Sequence, residues 1–129
     1  MGIDIYATWR NQSEGEHDKQ AEAWLSAGAG DVGYLREAYH GEPYATRVLM
    51  PEAFDLTTYP KGAPIPAVTL RERLPETLAT VRMRQLLVYK EGADSENTKE
   101  TLESFHAFVE LCEAKERANG FPCMITASY

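Results

Sequence analysis

Nowhere else in this chain do so many side chains that could do chemistry gather as in one run of fifteen residues. From Gly33 to Arg47 the order is Gly-Tyr-Leu-Arg-Glu-Ala-Tyr-His-Gly-Glu-Pro-Tyr-Ala-Thr-Arg: three tyrosines, two arginines, two glutamates and a histidine around a Gly-Glu-Pro break. His40 could act as acid or base, because the unperturbed pKa of a histidine lies near neutrality. Glu37 or Glu42 could orient it, Arg36 or Arg47 could hold an anionic group, and Tyr6 or Tyr39 could donate a hydrogen bond. Tyrosine and arginine also dominate recognition surfaces, because they join large contact area to directed hydrogen bonds. The same residues therefore support a noncatalytic binding surface built from Tyr34, Arg36, Tyr39, His40 and Arg47, with Tyr6 and Asp4 beside it. A third reading is a structural polar network that sets register and binds nothing.

The remaining candidate chemistry is sparse. Cys112 and Cys123 are too far apart for a Cys-x-x-Cys metal or redox motif and read as buried thiols acting as small hydrophobes. His17, His40 and His106 have no partner at metal-ligand spacing. No His-Glu-x-x-His, Gly-x-Ser-x-Gly or phosphate-loop pattern occurs. No metal or cofactor is expected, and the balance leans against an enzyme.

Charge and length narrow the field further. The chain has 129 residues, with 20 acidic and 13 basic side chains and a formal net charge of −7. A field of that sign repels phosphate backbones, so nucleic acid is disfavoured. The one basic cluster, Arg71, Arg73, Arg82 and Arg84, is interrupted by Glu72 and Glu76 and reads as a solvated helix face. No apolar run reaches the ~20 residues of a membrane span. Met-Gly-Ile-Asp-Ile-Tyr lacks the basic and apolar regions of a signal peptide. The expectation is a soluble, cytoplasmic, single domain over 1–129, with a protein partner or a second copy of itself as the fitting kind of ligand.

The elements that must position these residues follow from periodicity. Ile3, Ile5, Ala7 and Trp9 alternate with polar residues, which predicts a strand buried on one face and carrying Asp4, Tyr6 and Arg10 on the other. Ser13 and Glu16 form a capping box that opens a helix over 14–27, with Ala21, Trp24 and Leu25 on its apolar side. Residues 32–39 and 44–50 read as a hairpin turning at His40-Gly41-Glu42-Pro43; the rival is a short helix over 34–40. In a hairpin Tyr34, Arg36, Ala38 and His40 share one face, and Leu35, Glu37 and Tyr39 the other.

Pro51 starts a single turn through Phe54. The proline-rich stretch to Val68 reads as extended cover anchored by Tyr59 and Ile65. Thr69 and Glu72 suggest a second capping box, with a turn over 70–74 and then a helix whose first turn contains Pro75. Its apolar stripe would be Leu74, Leu78, Val81, Leu86 and Val88. A last helix over 95–118 presents Leu102, Phe105, Val109 and Cys112, and leaves His106 off the stripe. Residues 123–129 read as a terminal strand.

Strand, helix, two strands, loop, two helices and strand indicate an α+β domain. The expected arrangement is one mostly antiparallel sheet of about four strands, both termini in it, with the long C-terminal helices on one face. The opening Met-Gly-Ile-Asp-Ile-Tyr, the segment 33–46 and the ending Ile-Thr-Ala-Ser-Tyr resemble small uncharacterised bacterial proteins. That resemblance covers most of the chain and implies no activity, ligand or site residue.

Overall fold

β1 (Ile3–Thr8) lies inside the sheet and is paired on both sides. Its alternation buries Ile3, Ile5 and Ala7 on the helix side and leaves Asp4, Tyr6 and Thr8 half-buried on the other. The computed structural model describes residues 2–26, 28–37 and 43–129. β2 (Tyr34–Glu37) runs antiparallel to β1, with Asp4 opposite Arg36 and Tyr6 opposite Tyr34. β4 (Met124–Ser128) runs antiparallel to its other edge, with Ala7 opposite Ile125. β3 (Ala63–Pro64) adds a short edge beyond β4, which makes the order β2-β1-β4-β3. This is the expected α+β architecture, an antiparallel sheet that holds strands from both ends of the chain.

The covering layer consists of α3 (Ala67–Tyr89) and α4 (Glu96–Asn119), which pack against each other. α4 contributes Phe105, Phe108, Val109 and Cys112 to the core; α3 contributes Leu70, Leu74, Leu78 and Val81. Ser95 caps α4, its hydroxyl accepting from the Thr98 amide at 3.1 Å. The start of α3 differs from expectation. Thr69 and Glu72 do not form its cap, and the helix begins at Ala67, whose amide donates to Glu116 Oε1 on α4 at 3.1 Å. A long-range carboxylate thus replaces the local capping box. No separate turn over 70–74 exists either, because α3 continues through Pro75. Pro75 is exposed, so the carbonyl deprived of its amide partner lies on the wet side of the helix. Of the expected stripe, Leu74, Leu78 and Val81 are buried, whereas Leu86 and Val88 are exposed.

Two further expectations change near the N-terminus and the centre. α1 (Glu14–Glu22) has the Ser13–Glu16 capping box but ends five residues early, and a 3-10 turn, Ala23–Leu25, follows. Ala21, Trp24 and Leu25 face solvent. What docks α1 is a polar residue: the buried Gln20 donates to the Ala7 and Gly33 carbonyls at 2.6 and 2.9 Å, where β1 and β2 part. Gly33 sits there at φ 83°, and a Cβ on it would come within 3.0 Å of the Ala7 carbonyl and the Trp9 ring. The expected hairpin is not found. Its first arm survives as β2, which also contradicts the rival helix over 34–40 along 34–37, the rest of it and the turn over 40–42 lying outside the described residues, but its second arm is a helical turn, α2 (Ala45–Leu49). Pro51–Phe54 forms the expected single turn, and the proline-rich stretch behind it supplies β3. Pro64 is tolerated because β3 is an edge strand.

The pairing of β1 with β4 makes the last strand indispensable. Deleting 125–129 removes the central hydrogen-bonded ladder and Ile125 from the core. The expected outcome is loss of cooperative thermal unfolding and of dispersed amide resonances. A soluble, cooperatively unfolding truncated protein would contradict it.

Candidate functional site

Alternation along β2 divides the candidate residues between two faces. Tyr34 and Arg36 point to the sheet face away from the core, where they meet Asp4 and Tyr6 of β1. The Tyr34 hydroxyl donates to Asp4 Oδ1 at 2.5 Å, and Arg36 Nη1 lies 3.4 Å from the same oxygen. The rings of Tyr6 and Tyr34 stand 5.3 Å apart. These four residues, each singled out from the sequence, do converge. Tyr34, however, is fully buried, and Arg36 and Asp4 are half-buried. Burial, followed by the bond to the Asp4 carboxylate, pushes the Tyr34 phenol up to about 12. Burial and Asp4 likewise raise Tyr6, and the partners Tyr34 and Asp4 hold the Arg36 guanidinium more firmly protonated. A phenol that stays protonated beside a carboxylate is a fixed donor, not a base. The cluster ties β1 to β2.

Glu37 points the other way, into the protein beside Leu35, and is buried. Its carboxylate accepts from the Tyr44 amide at 3.1 Å, the Thr46 amide at 3.0 Å and the Thr46 hydroxyl at 2.9 Å. It therefore closes the open end of α2 and joins that helix to β2. Burial raises its pKa, and the bonds from Thr46 and Tyr44 oppose the rise. Arg47 is exposed on α2 with its guanidinium 5.4 Å from the centre of the Phe54 ring, apart from the cluster on the sheet. Tyr39, His40 and Glu42 lie outside the described residues, so the catalytic arrangement around His40 has no geometry here.

Beside Glu37 a cleft of about 260 Å³ opens between β2, the C-terminal end of α3 and the N-terminal end of α4. Glu37, Glu100, Gln85, Asn97, Tyr44 and Tyr89 give its wall two carboxylates, two carboxamides and two phenol rings, and Arg36, paired with Asp4, also lines it. Gln85 is buried. Sequence reasoning missed the helical half of this wall. The available signal was Gln85 itself, an uncharged polar residue on the same side of α3 as Leu74, Leu78 and Val81.

Elsewhere several charged side chains pair with one another. The basic residues suggested as a helix face are divided: Arg71 makes a bidentate pair with Glu113 at 3.0 and 2.6 Å, and Arg73 binds Glu52 at 2.7 and 2.9 Å. Cys112 and Cys123 are free and buried, as expected, but they also face each other across α4 and the start of β4, where the Cys123 thiol and burial raise the Cys112 pKa. Among the described residues no group of acidic, histidine or cysteine side chains could hold a metal ion. Among the same residues no helix is long and apolar enough to cross a membrane. Comparison with known proteins returns no matching family model, no matching curated protein and no matching solved structure.

Two outcomes are expected from these contacts. Tyr34→Phe removes a hydrogen bond to a charged, partly buried acceptor and should cost about 1–2 kcal/mol of stability by denaturant unfolding; a neutral result would deny that the cluster ties β1 to β2. For Glu37 the sign follows from its raised pKa. As pH rises past the ordinary value of 4.5, the unfolded chain releases this proton before the folded one does. Glu37 therefore contributes stability at low pH that is lost as pH climbs through its folded pKa. Glu37→Gln cannot titrate, so the stability of the natural protein should fall relative to this variant between acid and neutral pH. A difference that is flat with pH would contradict the assignment.

Proposed function

We propose that this protein is a noncatalytic binding module that takes a small organic cation into the cleft that Leu35, Arg36, Glu37 and Tyr44 of the segment 33–47 help to line. The observation that carries this reading is the composition of the cleft wall: the carboxylates of Glu37 and Glu100 and the ring of Tyr89 line a space of about 260 Å³ against one guanidinium, Arg36, which is paired with Asp4. Carboxylates neutralise an ammonium or guanidinium, an aromatic face attracts it as Tyr44 already attracts Arg84, and carboxamides accept its hydrogens. The volume is a little below the roughly 300 Å³ at which ligand pockets usually start, which restricts the ligand to a small ion. The net charge of −7 adds a long-range attraction of the same sign. Binding would also relieve Glu37, because a neighbouring positive charge favours its ionised form.

A catalytic reading draws no comparable support. Of the residues singled out from the sequence, Asp4, Tyr6 and Tyr34 cluster on the outer face of the sheet and Glu37 is engaged by Tyr44 and Thr46 on the inner one, with Arg36 alone belonging to the outer cluster and lining the cleft as well.

The test is a titration of the full chain with putrescine, choline and arginine, followed by amide chemical shifts and by the thermal midpoint. At least one of them should give saturable shifts at Gln85, Asn97 and Thr101 and raise the midpoint, with affinity that increases from pH 5 to pH 8. Glu100→Lys, an exposed change at the mouth, should weaken binding about tenfold or more while leaving the midpoint of the free protein in place. No response to any of the three, or an equal response in Glu100→Lys, overturns the proposal.

A further inference from the structure

The outward side of α3 is built like an interface. Residues buried against the core, Leu70, Leu74, Thr77, Leu78, Val81 and Gln85, define one side of the helix. At 3.6 residues per turn, positions 76, 79, 83, 86 and 87 lie on the opposite side, and Lys90, the left-handed residue that ends the helix, folds its Nζ back to the Leu87 carbonyl on that side at 3.2 Å. There Met83, Leu86 and Leu87 are 63%, 56% and 62% exposed. A helix apolar on two opposite sides has one more surface than a single core can cover.

We propose that this face pairs with itself, joining two copies of the chain through antiparallel α3 helices with Met83 at the two-fold axis. Charge selects the occupant and the direction. Glu76 and Lys90 end the stripe, each seven residues from Met83. A two-fold through Met83 therefore sets Glu76 of one copy against Lys90 of the other, at both ends, and lays Ala79 over Leu87. The parallel alternative would bring Glu76 to Glu76 and Lys90 to Lys90. The arginines next to the seam are turned to its flanks. Arg82 lies in the groove it shares with Leu78 and His106 of α4, and Arg84 rests on the Tyr44 ring with 4.6 Å to its centre. What is left between Glu76 and Lys90 is apolar and self-complementary, as a two-fold interface requires. The cleft opens on the core side of α3, so pairing leaves it accessible.

Sedimentation equilibrium of the full chain over a concentration series tests the proposal. The natural protein should fit a monomer–dimer equilibrium. Met83→Glu places like charges together at the axis and should give monomer at every concentration at which the natural chain is dimeric, with an unchanged circular dichroism spectrum. Glu76→Lys and Lys90→Glu should each raise the dimer dissociation constant about tenfold, because each turns two attractive pairs repulsive. The double variant should restore it. A natural chain that is monomeric throughout overturns the proposal, as does a dimer indifferent to Met83→Glu or a double variant no tighter than the singles. A monomer that co-sediments with phosphatidylcholine vesicles would assign the face to lipid and overturn it equally.

Discussion

The antiparallel pairing of β1 with β4 is the constraint on which the rest of the structure depends. It joins residues 4–8 to residues 124–128, nearly the full length of the chain apart, and every other element is arranged around that ladder. β2 covers the outer edge of β1 along residues 3–6, and β3 covers that of β4 at Met124 and Ile125. The inner side of the ladder, Ile3, Ile5, Ala7 and Ile125, is the floor on which the Phe105, Phe108 and Val109 face of α4 rests. The outer side supplies Asp4 and Tyr6 to the polar cluster with Tyr34 and Arg36. One alternating strand thus serves core and surface at once.

Long-range carboxylates recur as helix caps. Glu37 reaches from β2 to the start of α2, and Glu116 from α4 to the start of α3. Each joins two elements by satisfying amides that a helix cannot satisfy itself. Their electrostatics differ from those of the surface pairs. Glu52 and Glu113 are held below the usual carboxylate range by Arg73 and Arg71, whereas burial holds Glu37 above it. Acidification therefore weakens the two arginine pairs while it relieves Glu37, and the pH dependence of the whole protein is the sum of opposing contributions.

Much of the fold was legible because it rests on periodicity. Period two at Ile3–Trp9 and the broad apolar stripe of α4 leave few alternatives, and the Ser13–Glu16 capping box is a local signal that formed as read. The failures share a physical cause: a distant partner outweighed a local pattern. Thr46 sits in a stretch of strand-like composition, yet the Glu37 carboxylate organises that stretch as a helical turn. Glu116 supplies what the Thr69–Glu72 pattern would have supplied, two residues earlier. Gln20, not Trp24 or Leu25, docks α1, because two backbone carbonyls at the fork of β1 and β2 need donors. For the candidate site, Asp4, Tyr6, Tyr34 and Arg36 could be brought together from strand register. The cleft wall from Gln85, Asn97 and Glu100 could not, since it depends on how α3 and α4 cross over β2. A hint was present in Glu37, a charged residue on the same side of a strand as Leu35, which only buried donors could accommodate.

The two remote caps and the terminal ladder bear on the order in which this protein can acquire its structure during synthesis. β1 precedes every other described element in the chain but finds its main partner only when residue 128 has been added. α3 is complete at residue 89 but lacks its N-terminal acceptor until Glu116 emerges. Between the synthesis of β1 and that of β4, then, the nascent chain holds an apolar strand without its ladder and a helix with two unsatisfied apolar sides. Contacts of such separation close late and slowly, and the exposed segments are of the kind that chaperones bind. The same ladder that secures the fold postpones its formation until β4 has been made.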